Sequence, residues 1–219
     1  MIRHRFNEQL SLLNKLLMEM ADMVQEAITK TNKALLEQDI ELAQEIIDNE
    51  DAIDEKYEEI AGLCLKIIIQ QQPVARDLRL ISSVLKMITD LERIGDHASD
   101  ISEIATTITN EPYIKKLVTI PEMSAVTMKM VNDSIEAFVN KDESLARDVI
   151  ARDDIVDDHF NTVKNDLIAL INDDAKNGKQ AIDLVMIAKY FEKIGDHATN
   201  LAEWVIFSMT GVHKNSQIM

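Results

Sequence analysis

Apolar residues recur at helical spacing along almost the whole chain, with few interruptions. The first run extends from about Phe6 to Glu37, the second from just after Asp39 to about Ile69, and the third from beyond "QQQPVARD" to about Ile108. Asn110, Pro112 and Pro121 then mark a connection. The pattern resumes from about Glu122 to Asn140, from Asp142 to about Asp173 and from about Lys179 to Met209. Six long helices are expected. Asp39 and Asp142 stand where a side-chain oxygen can accept a hydrogen bond from a free first-turn amide, which makes them N-caps.

The two halves are copies of each other. "LERIGDHASDISEI" at Leu91 to Ile104 returns as "FEKIGDHATNLAEW" 100 residues later, and "LLEQDIELAQEIIDNEDAIDEKY" aligns with "FVNKDESLARDVIARDDIVDDHF" at an offset of 103. Three residues are therefore missing between the second and third helices of the second half, a loop change that leaves helix register intact. The expected fold class is all-α: two tandem three-helix bundles with an internal pseudo-two-fold repeat, residues 1–110 and 111–219, each with its own core.

Composition agrees with this plan. Five Gly and three Pro in 219 residues leave little for turns, and 4% aromatics beside 46% apolar residues imply aliphatic bundle cores. The net charge of −16 opposes nucleic-acid binding and direct attachment to anionic lipid. The lone Cys64 cannot form an internal disulfide and falls in an apolar stripe, as a small core residue. "MIRHRFNEQLSLL" lacks an apolar signal core and no run of about 18 apolar residues occurs, so a cytoplasmic protein with no membrane insertion is expected.

Acids interrupt the apolar seams at matching places. On an ideal helix the second run gives an arc containing Leu42, Ile46, Ile53, Ile60, Cys64 and Leu65, and Glu50 and Asp54 fall inside it. Its copy holds Leu145, Val149, Val156, Val163, Leu167 and Ile168, interrupted by Asp153 and Asp157. On the third helix the seam of Ile81, Leu85 and Ile88 leads to Glu92, with Gly95, Asp96 and Ser99 beside it. Val185 leads likewise to Glu192, Gly195 and Asp196. Asp100 extends the first ladder, and its counterpart is Asn200.

Residues i and i+4 lie about 5 to 6 Å apart between Cβ atoms, so each Glu/Asp-x-x-x-Asp pair is mildly repulsive, and two pairs brought together by adjacent helices are more so. Multivalent cations offset such crowding, and iron, manganese, magnesium or zinc accepts carboxylate oxygens. The expected metal set is Glu50, Asp54, Glu92, Asp96, Asp100, Asp153, Asp157, Glu192, Asp196 and Asn200. Gly95 and Gly195 each cost a helix about 1 kcal/mol relative to Ala, and either closer packing or room for ions accounts for them. His97 and His197 point about 100° from the acid stripe, toward a packing or supporting hydrogen-bond role. No Glu-x-x-His pair, P-loop, GxSxG or HExxH occurs, so the chain is not expected to be an enzyme.

"PVARDLR" at Pro73 to Arg79, "DLERIGDHASDI" at Asp90 to Ile101 and "YFEKIGDHATNLAEW" at Tyr190 to Trp204, with the doubled acid pairs, resemble the PhoU family. That resemblance implies metal clusters on the acidic motifs, a homodimer and negative regulation of the phosphate regulon. It further implies docking on the ATPase subunit of the phosphate ABC transporter and on a phosphate-sensing histidine kinase, hence a cytoplasmic protein peripherally associated with membrane partners. The alternatives are a metal-dependent phosphohydrolase and a metal-storage protein. Arg76, Asp77 and Arg79, at the start of the third helix, are a candidate polar contact to a partner.

Overall fold

The computed structural model describes residues 2–108, 112–213 and 216–217; the boundary expected between 110 and 111 lies outside them. Six helices build the fold, and the second and fifth are each broken by one residue. In chain order they are α1 (Ile2–Glu37), α2 (Ile40–Asp48) with α3 (Glu50–Gln71), α4 (Arg76–Ile108), α5 (Thr119–Asn140), α6 (Glu143–Ala151) with α7 (Asp153–Asp173), and α8 (Gly178–Thr210). A 3₁₀ turn, Ala175–Asn177, precedes α8. Past α8, β1 (Val212–His213) pairs antiparallel with β2 (Ser216–Gln217), a hairpin that periodicity did not predict.

Local chemistry sets these boundaries. Asp39 Oδ1 accepts from the Leu42 amide at 3.0 Å and Asp142 Oδ1 from the Leu145 amide at 3.0 Å, so both expected N-caps are present. The expected continuous second and fifth helices are corrected by the breaks at Asn49 and Arg152, which are equivalent in the repeat. Asn49 turns back, its side-chain amide donating to the Glu45 carbonyl at 2.7 Å. Pro121, expected in the connection, lies in the first turn of α5, where its missing N–H costs no helical bond.

Ile53, Ile60, Cys64 and Ile67 are buried along α3, while Leu65 is 55% exposed; on α7 Val163 and Leu167 are buried and Ile168 is 50% exposed. Leu65 and Ile168 therefore leave the expected arc. The contact seam keeps 3.5-residue spacing, and an ideal 3.6-residue count drifts off it. α4 packs against α8 more extensively than any other pair of elements, and α1 packs on α5. The expectation of two separate cores is corrected: one continuous apolar core runs from Leu13 to Ile206. It forms because α4 and α8 bury residues on more than one face, including Ile81, Val84, Met87, Ile88 and Leu91 on α4. Inside it, Thr31 Oγ1 donates to the Ala98 carbonyl and Ser134 Oγ to the Ala198 carbonyl, both at 3.2 Å, at equivalent positions of the two halves.

Gly95 of α4 and Gly195 of α8 sit where a neighbouring helix comes close. A Cβ on Gly95 would lie 2.7 Å from Ile53 Cδ1, and one on Gly195 would lie 3.3 Å from Val156 Cγ1. Gly62 on α3 faces open space. Gly62→Ala should accordingly stabilise the protein by about 0.5–1 kcal/mol. Gly95→Val should destabilise it by on the order of 2 kcal/mol through overpacking. Thermal unfolding followed by circular dichroism checks both, and an unchanged melting temperature for Gly95→Val contradicts the tight contact.

Candidate functional site

The break at Asn49 starts α3 with Glu50, and one turn later comes Asp54. Across the contact between Ile53 and Gly95, α4 presents Glu92 and Asp96. Glu50 is half-buried, and Ser99 Oγ donates to its Oε2 at 2.8 Å. Burial pushes the Glu50 carboxyl above its ordinary pKa against that hydrogen bond, with the charges of Asp96, Asp54 and Asp100 adding to the rise. Burial likewise raises Glu92, helped by Asp96, Asp54 and Glu58, and it raises Asp96 against the relief supplied by Arg93. Asp54 is exposed at the rim, so its expected place inside the apolar arc is corrected: past the break the buried seam passes through Ile53.

The second half repeats the arrangement at the start of α7. Burial raises the Asp153 carboxyl, with Asp196 and Asp157 adding to the shift and the nearby Thr199 hydroxyl opposing it. Burial also raises Asp157, together with the charges of Glu192 and Asp196 and against Lys189. Asp157, like Asp54, is exposed at the rim. Lysines are closer here than any cation is in the first half. Lys189 Nζ lies 2.6 Å from Glu192 Oε1, and Lys193 Nζ lies 2.6 Å from Asp196 Oδ2 and 3.5 Å from Glu192 Oε2. In the first half Arg93 reaches Asp96 at 3.1 Å.

Four of the expected residues in each half thus share one electrostatic site, to which Asp100 adds its charge in the first half, and Asp100 and Asn200 also make contacts at the seam between bundles. Asp100 Oδ2 lies 3.2 Å from His97 Nδ1. Asn200 Nδ2 donates to Asp90 Oδ1 at 3.3 Å, and His197 Nδ1 is 2.8 Å from the same oxygen. The His97 ring lies 5.4 Å from that of Tyr190 and 5.6 Å from that of His197. These contacts show α4 and α8 running in opposite directions, and they give both histidines the hydrogen-bonding role expected from their angle.

Asp90, Tyr190 and Arg152 were missed by the sequence reading. Asp90 and Tyr190 are repeat equivalents of unlike chemistry, so comparing the halves gives no signal for them. Arg152 occupies the break before Asp153 and pairs with Asp133, a residue only 5% exposed that Lys129 also contacts at 3.3 Å. An acid on the buried face of α5, with an arginine at the break before Asp153, was the available signal. Arg79 packs against the Gly211 turn, which assigns it to an intramolecular contact.

The donor chemistry fits a hard multivalent cation. Apart from Asn200 the candidate groups are carboxylates, and at Glu50, Glu92, Asp96, Asp153 and Asp157 burial together with mutual repulsion disfavours the charged forms that a cation would stabilise. Among the described residues, no three His, Cys, Asp or Glu side chains are already drawn together as a metal-binding group. Ion pairs with Arg93, Lys189 and Lys193 hold some of these carboxylates instead. Glu50, Asp54, Glu92 and Asp96 would hold ions in the first half, and Asp153, Asp157, Glu192 and Asp196 in the second.

Comparison with known proteins agrees with the doubled architecture. The sequence model of the PhoU domain matches residues 17–105 and again 120–205. A phosphate-specific transport system accessory protein PhoU homolog of Aquifex aeolicus is 40% identical over 175 residues, covering 80% of this chain and 79% of that protein. Its counterpart in Clostridium acetobutylicum is 35% identical and covers 96% of this chain and 97% of its own. The crystal structure of PhoU from Pseudomonas aeruginosa superposes with a TM-score of 0.90 at 31% identity, covering 94% of this chain and 100% of that one.

The raised carboxyls make the stability of the ion-free protein depend on pH in a definite direction. A carboxyl whose pKa rises on folding binds protons more readily in the folded chain, so its contribution to stability falls as pH rises from the unfolded value through the folded one. Chelator-treated protein should lose melting temperature as the pH rises from the ordinary carboxyl range, about pH 4.5, toward neutrality, and a divalent cation at the higher pH should close the gap. Melting curves over that range check this, and a melting temperature that climbs with pH contradicts it.

Proposed function

The chain belongs to the PhoU family, and from that premise we propose that it is a metal-binding negative regulator of phosphate uptake and of the phosphate regulon. It is not an enzyme: its relatives are named as accessory proteins of phosphate transport. Regulation works through docking on the ATPase subunit of the phosphate ABC transporter and on a phosphate-sensing histidine kinase, with the chain acting as a cytoplasmic homodimer. Among the described residues no helix is long and apolar enough to cross a membrane, so contact with the transporter is peripheral in this reading.

The observation that carries the metal reading is the facing of two carboxylate pairs across each close helix contact, repeated in both halves. When bound, the ions supply charge neutralisation. The chain's own residues do the rest: Ser99 orients Glu50, and Arg152 on Asp133 anchors the turn that precedes Asp153. The Ile53–Gly95 and Val156–Gly195 contacts fix the separation of the helices. A bundle braced in this way presents stiff outer helices to a partner, which is what restraint of a transporter requires.

Glu92→Ala combined with Glu192→Ala should lose most of the ion retained by protein purified without added metal, as read by elemental analysis. The same double variant should release phosphate uptake from repression in phosphate-replete cells. Full ion content with normal repression in that variant refutes the link between metal and regulation.

A further inference from the structure

The two carboxylate clusters are copies in sequence and differ in the cations that the chain itself supplies. In the second half, Lys193 Nζ lies 2.6 Å from Asp196 and 3.5 Å from Glu192, while Lys189 Nζ lies 2.6 Å from Glu192 on its other oxygen. Both lysines are more than half buried, at 38% and 41% side-chain exposure. The repeat equivalent of Lys189 is Thr89, whose hydroxyl donates to the Leu85 carbonyl of its own helix at 3.2 Å and carries no charge. The equivalent of Lys193 is Arg93, 59% exposed, which pairs with Asp96 at 3.1 Å and acts on Glu92 only through its charge. Glu92 therefore has neither of the ammonium partners that Glu192 has.

Beside Glu50, Asn49 and Gly95 the first half opens into a cavity of about 360 Å³, reaching Lys30 on α1. At the position equivalent to Asn49, Arg152 extends to Asp133. The Glu50 side of the first cluster thus has room beside it for an ion's retained waters, and Lys30 on the cavity wall is held by Glu26 and Glu45, each at 2.8 Å, rather than by the cluster.

We infer that Lys189 and Lys193 are built-in counter-ions that lower the cation affinity of the second cluster, so that the two halves fill in order, the first before the second. The inference rests on the metal reading of the preceding subsection. A cation entering the second cluster has to displace two ammonium groups from Glu192 and Asp196 or bind beside them. A unit charge at contact distance at the protein surface changes an affinity by at least ~10-fold. Rim exposure makes the effect sensitive to salt without removing it.

The test is titration of the chelator-treated full chain with Mn²⁺ alone, with free ion read by electron paramagnetic resonance. The wild type should show two affinity classes at least ~10-fold apart. Glu92→Ala should remove the tighter class and Glu192→Ala the weaker, with Glu92→Gln and Glu192→Gln standing in if an alanine variant does not fold. In the Glu92→Ala background, the pair Lys189→Thr and Lys193→Ser should tighten the remaining class by at least ~10-fold, while Lys189→Arg with Lys193→Arg should leave it unchanged. That contrast separates charge from packing. Loss of the tighter class in Glu192→Ala, or no tightening in the threonine–serine variant, overturns the inference and leaves the metal reading standing. A folded wild type that takes up no Mn²⁺ overturns both.

Discussion

The close approach of α3 to α4, and of α7 to α8, is the constraint on which the rest of the arrangement depends. Each contact is made by a glycine on the long helix receiving a β-branched side chain, Ile53 against Gly95 and Val156 against Gly195. With the backbones this near, the acids flanking those residues have to face each other: Glu50 and Asp54 meet Glu92 and Asp96, and Asp153 and Asp157 meet Glu192 and Asp196. The apolar seam draws the helices together and the carboxylates resist. The raised pKa values of Glu50, Glu92, Asp96, Asp153 and Asp157 record that conflict between packing and charge.

The one-residue breaks at Asn49 and Arg152 serve the same geometry. Each lets a short helix bury Ala43 and Ile46, or Ala146 and Val149, before the chain redirects into the long helix that carries the acids. In the second half the redirecting residue is tied by charge to Asp133, a buried acid that would be costly to leave unpaired. Between the halves, Asp90 meets His197 and Asn200, while His97 stacks near Tyr190. Polar contacts thus fix register where the continuous apolar core alone would allow sliding. The result is a non-catalytic helical body with long outer faces, in keeping with an accessory role in phosphate transport.

Much of this was legible in the sequence because it is local or repeated. Helical periodicity gave the six helices, aspartates at the right offset gave both N-caps, and the doubled Gly-Asp-His segment gave the pseudo-symmetry and the eight facing acids. The parts that were not legible depend on tertiary contact. A one-residue break leaves a 3.5-residue seam in phase, so Asn49 and Arg152 left no mark on the pattern, whereas ideal-helix counting wrongly drew Leu65 and Ile168 inside. Asn200 was assigned to the acid ladder by its place in the repeat, but its amide bonds to Asp90 across the seam. Lys189 and Lys193 were not singled out from the sequence, and only the fold shows them lying on Glu192 and Asp196.

The central claim, that multivalent cations relieve the carboxylate crowding, is most directly tested by anomalous X-ray diffraction. The crystals would be of protein purified without added metal, with data collected on either side of the iron, manganese and zinc edges. The account predicts an anomalous peak between the Glu50–Asp54 and Glu92–Asp96 pairs. Clear density for all four carboxylates, with no anomalous signal and only lysine, arginine or water between them, would contradict it.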